Sequence, residues 1–251
     1  MHLPRTALTT ALWALAVHTG GHAAEAQVAV AANFAEPIKA IAAVLEKTTG
    51  HTLKVTLGAT GKLYAQIKNG APFDVLLAAD TTTPAKLEAE GLAQPGSRFT
   101  YATGKLVLWS AQVGRVDGQG QVLKAADLGK VALASPKVAP YGAAAVQAMG
   151  QLGLTTALAP RLVQGESIGQ TFAFAATGNA DVGFVALSQV LEGGKLKSGS
   201  VWVVPQHLYS PIRQDAVVLK KAATNAAAQA LVTLLQSPNV KDLIRSHGYA
   251  P

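Results

Sequence analysis

The chain of 251 residues contains no cysteine, which excludes disulfide bonds, thiolate metal sites and cysteine nucleophiles. Charged residues make up only 14% of the sequence, against about 25% in typical soluble domains. The formal net charge of +7 arises from basic residues that are scattered singly along the chain. Aromatic residues are only 6%, and the sequence has no run of basic residues with aromatic residues between them. The composition therefore argues against a nucleic-acid-binding groove.

Long apolar runs are also missing, apart from a short one near the N-terminus. Arg5 provides a positive start, residues 7–17 form an apolar segment, and Ala24 and Ala26 lie at the spacing of a cleavage site. A membrane-spanning helix needs about 20 apolar residues, so this segment is too short for an anchor. We therefore predict a signal peptide over residues 1–26, cleaved near residue 24 or 26, and a soluble mature protein in the periplasm.

The mature sequence alternates between short β-branched runs and helical patterns, which is typical of an α/β fold with largely parallel sheets. Strands are predicted at residues 27–32, 53–57, 73–78 and 105–110, among others. Helices are predicted between them, at residues 37–49 and 61–69, where apolar residues recur on one face and a glycine follows.

Four predicted helices begin directly after a strand, at Asn33, Thr60, Tyr141 and Ile168. The first residues of a helix have free backbone N–H groups and partial positive charge, and they bind anions readily. In open α/β sheets, ligands bind at the carboxyl ends of the strands. If the four helix starts face one another, they form a cage of neutral donors, which the Asn33 amide and the Thr60 and Tyr141 hydroxyls would complete.

Each of these residues also has an ordinary structural interpretation. Asn33, with Glu36 three residues later, fits a capping box, and Thr60 fits an N-cap. Tyr141 could be a surface aromatic. The repetition of one arrangement at four junctions is what favours anion binding.

The rest of the sequence offers no catalytic group. The mature chain has three histidines, His51, His207 and His247, which lack the spacing of metal ligands. A hydrolase using Thr60 or Ser167 would have no base, because no histidine lies in the four junctions. We therefore predict no enzymatic activity, no cofactor and no site for a bare metal ion.

Several segments, in order, resemble periplasmic molybdate-binding proteins. They are VAVAANF at 28–34, GATGKLYAQI at 58–67, GAPFDVLLAAD at 70–80, PYG at 140–142, ESI at 166–168, GFVA at 183–186 and HGY at 247–249. The resemblance covers essentially the whole mature chain. It implies a two-lobed periplasmic binding protein fold with a hinged cleft, in which residues 27–103 plus 206–251 form one lobe and residues 104–205 the other.

The resemblance also implies a function. The protein would hold molybdate or tungstate by hydrogen bonds alone and deliver it to the membrane permease of an ABC importer. We expect it to act as a monomer and to bind no nucleic acid. The alternative is a binding protein for another tetrahedral oxyanion such as sulfate, and competition between the anions would distinguish the two.

The ligand-binding positions of the family can be transferred to this sequence one by one. They fall on Ala32, Asn33, Thr60, Tyr141 and Ile168. The sequence departs from the family pattern at Ala186, where many members have a tyrosine that donates to the anion. We expect the Tyr141 hydroxyl to supply that hydrogen bond from another loop.

Overall fold

The computed structural model describes residues 23–250. The predicted signal peptide lies outside the described residues, apart from residues 23–26. No helix within residues 23–250 is long and apolar enough to cross a membrane.

Strands and helices alternate along most of the described chain. The strands are β1 Glu25–Ala31, β2 Thr52–Gly58, β3 Val75–Leu77, β4 Phe99–Gly104, β5 Leu106–Ser110, β6 Val131–Ala134, β7 Leu162–Gly165, β8 Val182–Ala186, β9 Leu191–Glu192, β10 Lys195–Leu196, β11 Ser200–Val203 and β12 Ile212–Val218. The α-helices are α1 Ala35–Thr49, α2 Thr60–Lys68, α3 Thr82–Ala89, α4 Pro140–Gln151, α5 Thr155–Leu158, α6 Ile168–Ala176, α7 Leu187–Val190, α8 Ala226–Gln236 and α9 Pro238–Ser246. Short 3-10 turns cover Ala32–Phe34, Gln121–Lys124, Ala159–Arg161, Gln206–Leu208 and Lys220–Ala222.

Two five-stranded sheets form the centres of the two lobes. The first has the order β2-β1-β3-β12-β4, and the second has the order β11-β5-β8-β6-β7. β1 runs parallel to β2 and β3, and β6 runs parallel to β7 and β8. The remaining ladders of both sheets are antiparallel, so the prediction of largely parallel sheets is wrong for the strands that carry the chain between sheets. These strands enter without the crossover helix that parallel pairing requires.

The chain passes between the sheets twice, at Lys105 between β4 and β5, and again between β11 and β12. The predicted lobe limits, 27–103 plus 206–251 and 104–205, stay a prediction. Both passages lie at the edge of the first sheet where the parallel strands β1 and β3 end, because β12 is antiparallel to β3 and its first residue, Ile212, pairs with Gly104 at the end of β4.

β1 is buried within the first sheet and contributes side chains to both of its faces. Val28 and Val30 pack with Ile38 of α1, whereas Ala29 packs with Leu63 of α2 on the opposite face. This alternation is the period of two that a strand imposes on its side chains. The strand is therefore held from both sides, and the turn that follows it is fixed in place.

Candidate anion-binding site

A small cavity lies where helix starts from both lobes meet. It has a volume of about 10 Å³ and is lined by Ala31, Ala32, Asn33, Gly58, Ala59, Thr60, Ala79, Ala139, Pro140, Tyr141 and Ile168. All five predicted binding residues are in this set, and none of them is more than 9% exposed. The lining contains no charged side chain.

Ala32 and Asn33 form the turn that directly follows β1. The capping-box prediction for Asn33 is wrong, because Phe34 occupies the N-cap of α1 and no side chain caps that helix. The Asn33 amide nitrogen instead donates to Gln214 Oε1 at 2.8 Å and to the Tyr249 hydroxyl at 2.9 Å. Within the described part of the chain, Asn33 Oδ1 is the buried side-chain atom that has no hydrogen-bond partner.

Thr60 is the first residue of α2 and does not cap it, since Ala59 occupies the N-cap position. Its hydroxyl oxygen accepts a hydrogen bond from the Ala79 backbone N–H at 2.9 Å. A hydroxyl carries one proton, and that of Thr60 has no acceptor among residues 23–250. The Thr60 hydroxyl is therefore arranged to donate into the cavity.

Tyr141 is the second residue of α4, after Pro140, and it is 1% exposed, which rules out a surface aromatic. Its hydroxyl oxygen accepts a hydrogen bond from Gln214 Nε2 at 3.3 Å. Burial raises the pKa of Tyr141 well above its usual range, and the neighbouring Tyr249 and Tyr101 raise it further. The hydroxyl therefore keeps its proton at neutral pH.

Ile168 is the first residue of α6 and is buried against the cavity. Ser167 occupies the N-cap of this helix, and its hydroxyl accepts the backbone N–H of Gln170 at 3.3 Å. The side chain of Ser167 thus serves the helix, while the Ile168 amide stays without an intrahelical acceptor.

The backbone amides of Thr60, Tyr141 and Ile168 all belong to the first two residues of a helix. Such amides have no partner inside the helix, and they lie at its positive end. Together with the hydroxyls they surround the cavity with donors and no formal charge. This arrangement can bind an anion whose oxygens accept hydrogen bonds on several sides.

Contacts between the lobes lie beside the cavity. The Gly61 backbone N–H donates to the Val138 carbonyl oxygen at 2.9 Å, which joins α2 to the segment before α4. Lys62 Nζ lies 2.6 Å from Glu166 Oε2, and this exposed pair lowers the pKa of Glu166. These two contacts therefore join the lobes beside the cavity.

Sequence reasoning missed the residues that support the site from behind, chiefly Gln214 and Ser188. Gln214 is 181 residues from Asn33, and the hydroxyl of Ser188 donates to the Asn33 carbonyl oxygen from 155 residues away. Tyr249 lies in the final segment of the resemblance, but no role was assigned to it. Ala186 is buried at the end of β8 and does not line the cavity.

Comparison with known proteins agrees with this geometry. Residues 26–250 match the family described as bacterial extracellular solute-binding protein, so the chain belongs to that family. It is 57% identical over 242 residues to the molybdate-binding protein ModA of Azotobacter vinelandii, covering 96% of each chain. It is 56% identical to ModA of Rhodobacter capsulatus, covering 90% of this chain and 88% of that one.

Comparison with solved structures also shows similarity to a molybdate-binding protein. The periplasmic molybdate-binding protein of Azotobacter vinelandii superimposes with a TM-score of 0.86 at 42% identity, covering 90% of this chain and 99% of that chain. Within the solute-binding proteins, the chain thus groups with the molybdate-binding proteins. The resemblance seen in the sequence and the two-lobed α/β fold are both confirmed.

Proposed function

We propose that this protein captures molybdate, and also tungstate, in the periplasm and delivers it to the permease of an ABC importer. The observation that carries the proposal is the convergence of several helix starts on one uncharged, donor-lined cavity. Relatives at 56–57% identity are molybdate-binding proteins, which supports the same ligand here. The protein acts as a binding protein and not as an enzyme, in keeping with its family.

The proposed ligands of the anion are Ala32, Asn33, Thr60, Tyr141 and Ile168. Molybdate is a dianion at neutral pH, so every oxygen accepts hydrogen bonds and none needs an acceptor from the protein. The helix starts supply backbone N–H groups, and the Thr60 hydroxyl supplies a proton that has no other acceptor in residues 23–250. Hydrogen bonds to a charged acceptor are the stronger kind, so a neutral cage is sufficient.

Closure of the two lobes would bury the anion, as in other hinged binding proteins. The contact between Gly61 and Val138 supports this proposal, because it joins the two lobes next to the cavity. Location in the periplasm is supported by the predicted signal peptide and by the periplasmic relative from Azotobacter vinelandii. We propose that the protein works as a monomer.

Calorimetric titration of the mature protein with molybdate, tungstate, sulfate and phosphate tests the proposal. Molybdate and tungstate should bind with one ion per chain, and a large excess of sulfate or phosphate should not displace them. Sulfate binding as tight as molybdate binding would support the alternative oxyanion instead. A lack of heat with all four anions would contradict anion binding altogether.

A further inference from the structure

Gln214 connects two of the proposed anion-binding side chains. It lies on β12 with no exposed surface. Its Oε1 accepts hydrogen bonds from the Asn33 amide at 2.8 Å and from the Tyr101 hydroxyl at 3.0 Å. Its Nε2 donates to the Tyr141 hydroxyl oxygen at 3.3 Å. The orientation of the Gln214 amide therefore determines which hydrogen-bonding groups of Asn33 and Tyr141 remain free to bind an anion.

In this arrangement several groups of the network are not satisfied. Asn33 Oδ1 has no donor, and the Tyr141 proton has no acceptor among the described residues. The Tyr101 hydroxyl has one proton for two acceptors, the Ala78 carbonyl oxygen at 2.9 Å and Gln214 Oε1. A buried acceptor without a donor loses its hydration and gains nothing in return.

A half-turn of both amides removes these conflicts. Such a turn exchanges the oxygen and nitrogen of each amide with almost no change of shape. Gln214 Nε2 would then donate to Asn33 Oδ1 and to the Tyr101 hydroxyl, which keeps its proton for Ala78. The Tyr249 hydroxyl, 2.9 Å from the turned atom, would redirect its proton from the Asn33 backbone oxygen to Asn33 Oδ1, and Ser188 would remain the donor to that backbone oxygen. Tyr141 would donate to Gln214 Oε1. The two amides must turn together, because turning one alone would oppose two donors or two acceptors.

After the double turn, the group left without a partner is the Asn33 NH2. An oxyanion in the cavity would accept from it, and the whole network would be satisfied. Before the double turn, the side-chain oxygen Asn33 Oδ1 takes the place of this NH2 group, and its lone pairs would repel the anion. The anion therefore favours the arrangement in which Asn33 donates.

We propose that Gln214 is a positioning residue that makes Asn33 and Tyr141 alternative donors, and that a bound oxyanion selects Asn33. The proposal rests on the proposed function, since it needs an anion in the cavity. It gives the Tyr141 hydroxyl a supporting role toward Gln214, in place of the direct contact expected from the vacant position at Ala186. The Tyr141 backbone amide remains a donor to the anion.

A double-mutant cycle tests the coupling, with molybdate affinity measured by calorimetry. Tyr141→Phe alone should weaken binding only about threefold, because it removes one supporting hydrogen bond. Gln214→Met removes the hydrogen-bond partner of both Asn33 and Tyr141, so the Tyr141 hydroxyl becomes free to donate to the anion. Tyr141→Phe in that background should therefore weaken binding about tenfold or more. A merely structural Gln214 would give equal effects of Tyr141→Phe in both backgrounds, which would overturn the proposal.

NMR of the 15N-labelled protein provides a second readout if Gln214→Met folds poorly. Molybdate should shift the side-chain NH2 signals of Asn33 and Gln214 together, and Asn33→Leu should identify the Asn33 signal. An Asn33 signal that molybdate leaves unchanged would overturn the proposal. Failure of the wild type to bind molybdate would instead contradict the proposed function, so the two failures are distinguishable.

Discussion

Gly104, the last residue of β4, lies so close to Tyr141 that a Cβ at position 104 would overlap the tyrosine hydroxyl oxygen. A methyl group there would have to displace the ring or the neighbouring Gln214 amide, which the same Cβ would approach to 2.6 Å. Glycine at this position is thus required for the close approach of β4 to α4. The second lobe reaches the back of the site through this contact.

Gly104→Ala should therefore lower both stability and affinity. Overpacking a tight site costs about 1–3 kcal/mol, and displacement of Tyr141 should weaken molybdate binding about tenfold. Thermal melting and calorimetry measure the two effects. Gly118→Ala is the matched control, because a Cβ at that exposed glycine meets nothing within 4 Å. Equal behaviour of the two variants would contradict the steric argument.

Thr60→Ala should remove one charge-assisted hydrogen bond to the anion. The expected loss is about 1.5–3 kcal/mol, or roughly ten- to a hundredfold in affinity. Ser167→Ala serves as the control, since Ser167 caps α6 and should cost about 1 kcal/mol of stability with little change in affinity. Titration calorimetry and melting curves separate the two variants. Unchanged molybdate affinity in Thr60→Ala would show that its hydroxyl does not contact the anion.

Molybdate affinity should not change between about pH 7 and pH 9. No charged side chain and no histidine lines the cavity, so no lining group with an ordinary pKa titrates in that range. Burial raises the pKa of Tyr141, and a raised pKa moves loss of the hydroxyl proton further above the tested range. The donor set therefore stays intact as the pH rises. Fluorescence titration at several pH values checks this, and a falling affinity near pH 8 would contradict it.

Secreted protein should begin at Glu25. Of the two predicted cleavage positions, the one after residue 24 keeps all of β1, whose first residue pairs with Thr52. Cleavage after Ala26 would remove two residues from that ladder, including the fully buried Ala26. N-terminal sequencing of periplasmic material measures the position. A secreted chain that still begins at Met1 would exclude the signal peptide.

Local sequence was sufficient to find the helix starts that line the cavity. Free N–H groups at a helix N-terminus are a local property, and the strand before it and the helical pattern after it are both visible in sequence. For this reason Thr60, Tyr141 and Ile168 were placed correctly at the beginnings of helices. The strand β4 at 99–104 was not predicted, and its buried residues do not alternate regularly with exposed ones.

Only the tertiary structure decided what the side chains at those positions do. The patterns around Asn33 and Thr60 predicted local caps, but the Asn33 amide pairs with Tyr249 and Gln214, at separations of 216 and 181 residues. Thr60 likewise accepts from Ala79 on the neighbouring loop. A side chain with a few hydrogen-bonding atoms forms the bonds that buried partners offer, and those partners become neighbours only when the strands align. The helix starts were therefore determined by the sequence nearby, whereas the orientation of their donors was determined by strands brought together from opposite ends of the chain.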